Sequence, residues 1–388
     1  MSLQHEPLEL LQQLVRIDSQ NPPGNSKEII FFIREYLKQL HIPFSVYEVS
    51  KNRFNLVCTV RSKNARKKIL FAPHVDTVPA TGRWRFSPFG GVVYRGRLYG
   101  RGTTDCKVNV AAALYLIKRL KLENTRLNNL DLVFAFCGDE ETGSKFGIIP
   151  LMKVLKNIDY GIVLDANEFN IVVAQKGLLH LRVEFFGKEA HGAYPHRGIN
   201  AIVKAIAALE EIVKHGFLRK RPHPILKKPT LNIGRFIGGD KVNIVAGSAF
   251  FELDIRYLPS MDKNEIIRDI ERIARKKGKY KVKILAHQGP IEIPRDSFSL
   301  NILRGVLRAK KIHSRLIPSF GATVINFLKA RGIETFAFGF GTKGCAHTKD
   351  EYVKVDNLYK GIEVLCEYVK KLDKKLENEK IRARIANV

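Results

Sequence analysis

The chain has 388 residues, of which 45% are hydrophobic and 27% charged, and its formal net charge at pH 7 is +28. This balance excludes a disordered or fibrous protein, and the length exceeds what one hydrophobic core usually supports, so two domains are expected. Basic excesses recur in 51–100, 201–250 and 301–350, so the charge predicts a generally basic surface and makes a dedicated nucleic-acid site an unfavoured alternative.

The first 176 residues alternate helical and strand patterns. Amphipathic helices are predicted at 6–17, 27–40 and 108–120, and strands at 54–60, 69–72, 130–137 and 161–164. Some of these strands are apolar at almost every position, which is typical of a sheet covered on both faces by helices. We therefore expect an α/β fold with a central, mostly parallel sheet flanked by helices.

The pattern changes after Lys176. Strands are predicted at 178–186, 250–257 and 282–286, and helices at 201–213 and 262–277. The α/β pattern then resumes, with helices at 297–309 and 322–330, a strand at 335–340 and a C-terminal helix from 356. We therefore expect a discontinuous domain formed by 1–176 and 289–388, into which a smaller α+β domain of residues 177–288 is inserted.

The N-terminal residues and the cysteines bear on localisation. The chain begins without the cationic start and apolar block of a signal peptide, and no apolar run approaches the roughly 20 residues that cross a bilayer. The five cysteines are scattered and form no CxxC pair, which favours reduced thiols. We expect a cytoplasmic protein with no membrane partner.

Acidic residues and histidines stand where predicted strands end, which is where open α/β sheets place ligand sites. These positions are His74 and Asp76, Asp105, the triplet Asp139, Glu140 and Glu141, Asp165, and His347. Taken singly, each has an ordinary explanation, such as an incidental surface pair, a helix cap or solvated loop acids. Taken together they offer imidazole and carboxylate ligands for two divalent cations, with Asp76 able to fix the second ring nitrogen of His74.

The ordered set HxD, GRGxxDxK, DEExG and a late histidine resembles the co-catalytic zinc aminoacylases and exopeptidases. That family includes succinyl-diaminopimelate desuccinylase, acetylornithine deacetylase and glutamate carboxypeptidase. The resemblance implies a zinc exopeptidase-like catalytic domain with an inserted lid and dimerisation domain. It also implies that Asp105 bridges two metal ions, that His74 and Asp165 complete one, and that Glu141 and His347 complete the other. Zinc is the expected metal, with cobalt or manganese as alternatives.

The resemblance also assigns roles around the metals. Glu140 would be the general base for a hydroxide that bridges the metals, and Asp76 would orient His74. The segment AHGAYPHRGINA at 190–201 resembles the lid segment whose histidine reaches the partner's active site in a homodimer, which assigns His191 to the tetrahedral intermediate. Asn243 and Arg256 match lid positions that hold the substrate's carboxylate, a role that suits a planar guanidinium.

The expected activity is hydrolysis of an amide bond in a small, anionic N-acyl amino acid with a free carboxylate, of the acetylornithine or succinyl-diaminopimelate type. A carboxypeptidase or dipeptidase with the same metal site is the close alternative, favoured by an aspartate at Asp165 where those deacylases often have glutamate. A catalytically silent binding protein is an alternative of another class. The chain departs from the family at Val108, at Ala246, and after Gly321, where Val324 replaces a frequent acidic residue.

Overall fold

The computed structural model describes residues 6–319 and 323–385, with side chains up to residue 378. The chain divides into two compact units. Unit 1 comprises Met1–Val172, Ile293–Ile317 and Thr323–Val388, and unit 2 comprises Val173–Glu292 and Pro318–Ala322. Gly321, and residue 322 where a helix is expected to begin, lie outside the described residues.

The helices and strands follow in chain order. Those of the first 170 residues are α1 (Glu6–Arg16), α2 (Lys27–Gln39), β1 (Phe44–Ser50), β2 (Arg53–Val60), β3 (Lys67–Ala72), β4 (Val92–Tyr94), β5 (Arg97–Tyr99), α3 (Val108–Leu122), β6 (Leu130–Phe136), α4 (Ile148–Leu151) and β7 (Tyr160–Val163). Those from there to residue 292 are β8 (Ile171–Gln175), β9 (Gly177–Phe186), α5 (Ala201–Val213), β10 (Thr230–Gly238), β11 (Ser248–Tyr257), α6 (Lys263–Lys277), β12 (Lys279–Gln288) and β13 (Ile291–Glu292). The remainder are α7 (Phe298–Ala309), β14 (Leu316–Ser319), α8 (Ile325–Lys329), β15 (Glu334–Phe338), β16 (Tyr352–Lys354) and α9 (Val355–Ile385).

The large sheet of unit 1 runs in the order β1-β2-β6-β3-β7-β15, followed by the start of β8. Its four central strands, β6, β3, β7 and β15, pair in parallel, whereas β1 and β2 add antiparallel strands at one side. Every residue of β6 is buried, as expected for a strand covered on both faces. The α/β fold class with a central, mostly parallel sheet is therefore confirmed.

Packing fixes the central strands against one another. The buried rings of Phe71 in β3 and Phe134 in β6 stack with their centroids 5.1 Å apart. Among the helices, α3 packs against α1 and α9, and ten of its residues are buried.

Because β3, β6 and β7 are parallel, the loops that follow them emerge at one edge of the sheet. Two of these loops are joined directly, since the amide of Val75 donates to the carbonyl of Cys137 at 2.8 Å.

Unit 2 contains a four-stranded antiparallel sheet in the order β10-β11-β9-β12. Alternate residues of β9 and β11, such as Leu181 and Leu253, are buried and form one core with apolar residues of α5 and α6. This is an α+β arrangement with the helices on one face of the sheet. β10 lies at the edge of the sheet and is largely exposed.

Within the part of the chain that the structure describes, none of the helices is both long enough and apolar enough to span a membrane.

Candidate metal centre

Three side chains from separate loops of unit 1 form a compact group of donors. His74 follows β3, Asp105 lies in the turn before α3, and Glu141 lies in the turn after β6. One donor atom from each lies within 4.8 Å of the others. Carboxylate oxygen and imidazole nitrogen are ligands that Zn²⁺ and related divalent ions accept.

Asp105 lies between two histidines. Its Oδ1 is 2.9 Å from Nε2 of His74, and its Oδ2 is 3.1 Å from Nε2 of His347. The same nitrogen of His347 is 3.1 Å from Oε2 of Glu141. Each oxygen of one carboxylate therefore faces a different imidazole.

The charges of these side chains favour the binding of a cation. Hydrogen bonds to Asp105 and Glu141 raise the pKa of His347 to about 10. Burial, and then the charge of Asp105, raises the pKa of Asp165 to about 7. Asp165 also interacts electrostatically with Glu141, so the carboxylates repel one another. A divalent cation relieves such repulsion.

Glu141 supplies a second observation that fits a bound cation. Its Oε1 is buried and has no hydrogen-bond partner within the described residues, although buried carboxylate oxygens are rarely left without one. Its Oε2 lies 3.1 Å from Nε2 of His347, whose side chain is 53% accessible. The donor set, its excess negative charge and this unpaired oxygen together fit divalent metal ions.

The two ring nitrogens of His74 have different partners, and Nε2 is the one that faces the other ligand candidates. Its Nδ1 lies 3.0 Å from the backbone carbonyl of Asp76. Because a carbonyl can only accept, Nδ1 carries a proton, and Nε2, which lies 2.9 Å from Oδ1 of Asp105, is the ring nitrogen that a cation would take as its ligand once its proton is lost. The carboxylate of Asp76 is further away, with Oδ1 3.5 Å from Nδ1.

The carboxylate of Asp76 has a further contact that the sequence does not predict. Its Oδ1 accepts from the amide of Glu140 at 3.1 Å, and its Oδ2 from the amide of Glu141 at 3.2 Å. Asn21 donates to the same Oδ2 at 2.9 Å. Asp76 therefore positions the turn that carries Glu140 and Glu141 as well as His74.

Asp139, the first acid of the triplet, has a supporting role in the structure. It adopts a left-handed backbone with φ 67°, and its Oδ1 accepts from Arg53 at 2.6 Å and from Asn21 at 3.2 Å. Its other oxygen accepts from the amide of Phe146 at 2.8 Å. Asn21 and Arg53 were not among the expected site residues, because only the fold brings them to this turn.

Three of the expected site residues lie in unit 2. His191 is exposed and forms an isolated β-bridge with Ile244, while the amide of Gly192 donates to the carbonyl of Asn243 at 2.7 Å. The structure thus brings His191 and Asn243 onto adjacent segments. Arg256 lies on β11, where its Nε and Nη2 donate to the two oxygens of Asp254 at 2.8 and 3.1 Å.

Comparison with known proteins identifies relatives over nearly the whole chain. An uncharacterized metallohydrolase of Methanococcus maripaludis is 27% identical over 95% of this chain and 100% of its own length. A probable succinyl-diaminopimelate desuccinylase of Staphylococcus aureus is 24% identical over 93% of this chain and 96% of its own.

Solved structures agree in fold. A tripeptidase of Staphylococcus aureus superposes with a TM-score of 0.76 at 24% identity, covering 95% of this chain and 98% of the other. A dinuclear metal binding peptidase of the M20 family from Bacillus subtilis gives a TM-score of 0.73 at 15% identity, covering 95% and 98%.

The model of Peptidase family M20/M25/M40 matches residues 70–371. This range contains every expected metal ligand, from His74 to His347, and it confirms the family resemblance seen in the motifs. The chain belongs to Peptidase family M20/M25/M40 and is a metal-dependent hydrolase.

Proposed function

We propose that the protein is a two-metal hydrolase that cuts the amide bond of a small N-acyl amino acid, of the acetylornithine or succinyl-diaminopimelate type. The observation that carries the proposal is the placement of Asp105, whose two oxygens face His74 and His347. The desuccinylase relative, which matches almost end to end, supports a deacylase.

In this proposal Asp105 would be a ligand of both metals. His74 and Asp165 would complete the ligands of one metal, and Glu141 and His347 those of the other. Bound divalent cations would supply Lewis-acid activation of a water molecule and of the scissile carbonyl. Zinc is the metal we propose, with cobalt or manganese as alternatives that the same nitrogen and oxygen donors accept.

Cys106 is adjacent to the site in sequence but does not fit a ligand role. Burial raises the pKa of its thiol to about 12, and its Sγ donates to the backbone carbonyl of His74 at 3.2 Å. A thiol that stays protonated and acts as a donor cannot serve as a thiolate ligand.

Glu140 is suited to the proton transfers. Burial raises its pKa well above the ordinary value, and the neighbouring charges of Asp165 and Glu141 act in the same direction. Bound cations would offset these neighbouring charges and leave Glu140 ionised, so that it could take a proton from the attacking water. The same group would then return that proton to the leaving nitrogen of the amide.

His191 would stabilise the oxyanion that develops during attack. Its Nδ1 accepts from the amide of Ala193 at 3.1 Å, so in the neutral ring Nε2 carries the proton and can donate. Such a donor contributes several kcal/mol when it is aimed at the developing charge. Asn243 and Arg256 would bind the substrate's free carboxylate, with Asp254 holding the Arg256 guanidinium in place.

We also propose that the protein forms a homodimer through unit 2 and that His191 serves the partner's site. The edge strand β10 exposes Phe236 and Ile237, and α5 exposes Val203 and Ile206, which are 59% and 53% accessible. An unprotected edge strand beside apolar side chains is a surface on which a second chain can pack.

A carboxypeptidase or dipeptidase is the second candidate, because it would use the same metal ligands. The observation that favours it is Asp165, where the deacylases named above often carry glutamate. The two candidates differ in substrate and share the proposed roles of Asp105 and Glu140.

The proposal is tested by hydrolysis assays on chelator-treated protein reloaded with Zn²⁺, Co²⁺ or Mn²⁺. The panel contains N-acetyl and N-succinyl amino acids beside simple dipeptides. Metal-dependent release of amino acid from the acylated substrates is expected, whereas cleavage of dipeptides alone would favour the peptidase.

A Glu140→Ala variant tests the proton-transfer role in the same assay. It should retain its metal and lose turnover by about 100-fold or more. Metal binding without any hydrolysis by the wild-type protein would instead favour a silent binding protein.

A further inference from the structure

Glu351 is a fully buried carboxylate that contacts four donors. Its Oε2 accepts from Nη1 of Arg101 at 2.7 Å and from the amide of Gly102 at 2.9 Å. Its Oε1 accepts from the amides of Thr104 and Asp105 at 2.8 and 3.1 Å. The side chain therefore holds the backbone of the 101–105 turn at several successive points.

The same residue joins two loops that carry metal-ligand candidates. Glu351 follows His347 closely in the chain, and its carbonyl accepts from the amide of Gly100 at 2.9 Å. A parallel link runs from the hydroxyl of Thr104 to the carbonyl of Tyr352 at 2.7 Å. Hydrogen bonds of Glu351 and Tyr352 thus join the turn that carries Asp105 to the segment that follows His347.

These hydrogen bonds oppose the repulsion among the carboxylates of the candidate metal site. Asp105 lies among the carboxylates of Glu141, Asp165 and Glu140, whose like charges oppose the attraction that His74 and His347 exert on it. The hydrogen bond from the backbone amide of Asp105 to Glu351 holds Asp105 in place before any cation is bound. A site held in its binding geometry loses less free energy on binding, because fewer groups must be ordered.

We infer that Glu351 is a positioning residue that holds Asp105 between His74 and His347. The inference rests on the proposed metal site. It concerns metal affinity and does not depend on which substrate is hydrolysed. Only a carboxylate suits the position, because both of its oxygens accept. A glutamine would direct an NH₂ group toward at least one of the donors.

The test compares Glu351→Gln with Glu334→Gln as a matched control. Glu334 is a partly buried glutamate of unit 1 that likewise accepts hydrogen bonds, from the hydroxyl of Ser297 and, at 3.1 Å, from the amide of Ser299. The zinc affinity of each metal-free variant is measured by competition with a chromophoric chelator, and its thermal unfolding is recorded separately.

Glu351→Gln should weaken zinc binding by about 10- to 100-fold, the range found when groups that orient metal ligands are removed. Glu334→Gln should lower thermal stability and leave the zinc affinity at the wild-type value. Equal zinc affinity in Glu351→Gln and wild type would overturn the inference, whatever the unfolding temperature.

If Glu351→Gln does not fold, Arg101→Gln provides the second measurement. It removes one of the four donors and leaves the three backbone amides, so a smaller loss of zinc affinity, several-fold, is expected. An unchanged affinity in a folded Arg101→Gln protein would count against the inference. Failure of wild type to hydrolyse any substrate of the panel would contradict the proposed function, while the difference in zinc affinity would still decide the role of Glu351.

Discussion

Asp76 shows how one side chain can serve two parts of a site. Its backbone carbonyl fixes the tautomer of His74, while its carboxylate accepts from the amides of Glu140 and Glu141. The role expected from the motif, orientation of His74, falls mainly to the carbonyl in this structure. The carboxylate is therefore free to position the proposed general base.

Asp76→Asn separates these two roles. The carbonyl that holds His74 remains, so zinc should still bind, but an amide nitrogen now faces one of the two backbone donors and the turn must shift. We expect kcat to fall by about 10- to 100-fold with little change in KM. Steady-state kinetics together with metal analysis checks this, and loss of metal in proportion to activity would contradict it.

Most of the ligand candidates could be predicted from sequence because they stand in short motifs just after a strand or before a helix, whereas His347 lies beyond a glycine-rich turn that follows β15. The residues that hold these candidates in place could not be predicted. Asn21, Arg53 and Glu351 contact the site only because the fold brings them there, and no local pattern marks a residue whose partner is distant in the chain. Glu351 in particular looks like an ordinary loop acid in the sequence.

At the scale of elements, the predictable parts were those with strong periodicity. The buried strand β6 and the helices α3, α5 and α6 occur where the apolar pattern places them. The strands β4, β5 and β16 are three residues each, too short to show a period. β10 was also missed, because it is exposed along most of its length and lacks the alternation that marks a half-buried strand.

β2 contributes to the site through Arg53 at its first residue. The guanidinium pairs with Asp139, whose side chain is only 4% accessible, and also donates to the carbonyl of Pro23 at 2.8 Å. Removing one partner of such a pair leaves a buried charge unpaired.

Arg53→Met should therefore destabilise the protein by about 2–3 kcal/mol, less than for a wholly buried pair because Arg53 is partly exposed. Denaturant unfolding measures the change. The double variant Arg53→Met with Asp139→Asn should recover part of the loss, since the charge is then absent. Additive losses in the double variant would show that the pair is not the cause.

For the whole molecule, the proposed dimer makes a prediction about unit 2. Ile206 is 53% accessible on α5, so Ile206→Asp should leave each chain folded while it weakens association. We expect a monomer by light scattering and a large loss of activity, because His191 would no longer reach a partner. Ile149→Asp, at a 38% accessible position of unit 1, is the control and should stay dimeric and active.

The net charge makes a second prediction at this scale. A chain of formal charge +28 attracts anions over distances set by the Debye length, which falls from about 30 Å at 0.01 M salt to about 3 Å at 1 M. We expect kcat/KM for N-succinyl substrates to fall more steeply with NaCl than kcat/KM for N-acetyl substrates, which carry one carboxylate fewer. Identical salt dependence for the two series would show that the net charge of the protein does not favour N-succinyl over N-acetyl substrates.

The sheet order also bears on how the protein is made. β15 lies between β7 and β8 in space, yet a ribosome releases it only after all of β8 to β14. Until then the growing chain carries an unpaired strand edge on β7, and it lacks His347, which is translated later still. Unfinished chains would thus combine an exposed edge with an incomplete metal site, which makes them natural substrates for chaperones and proteases.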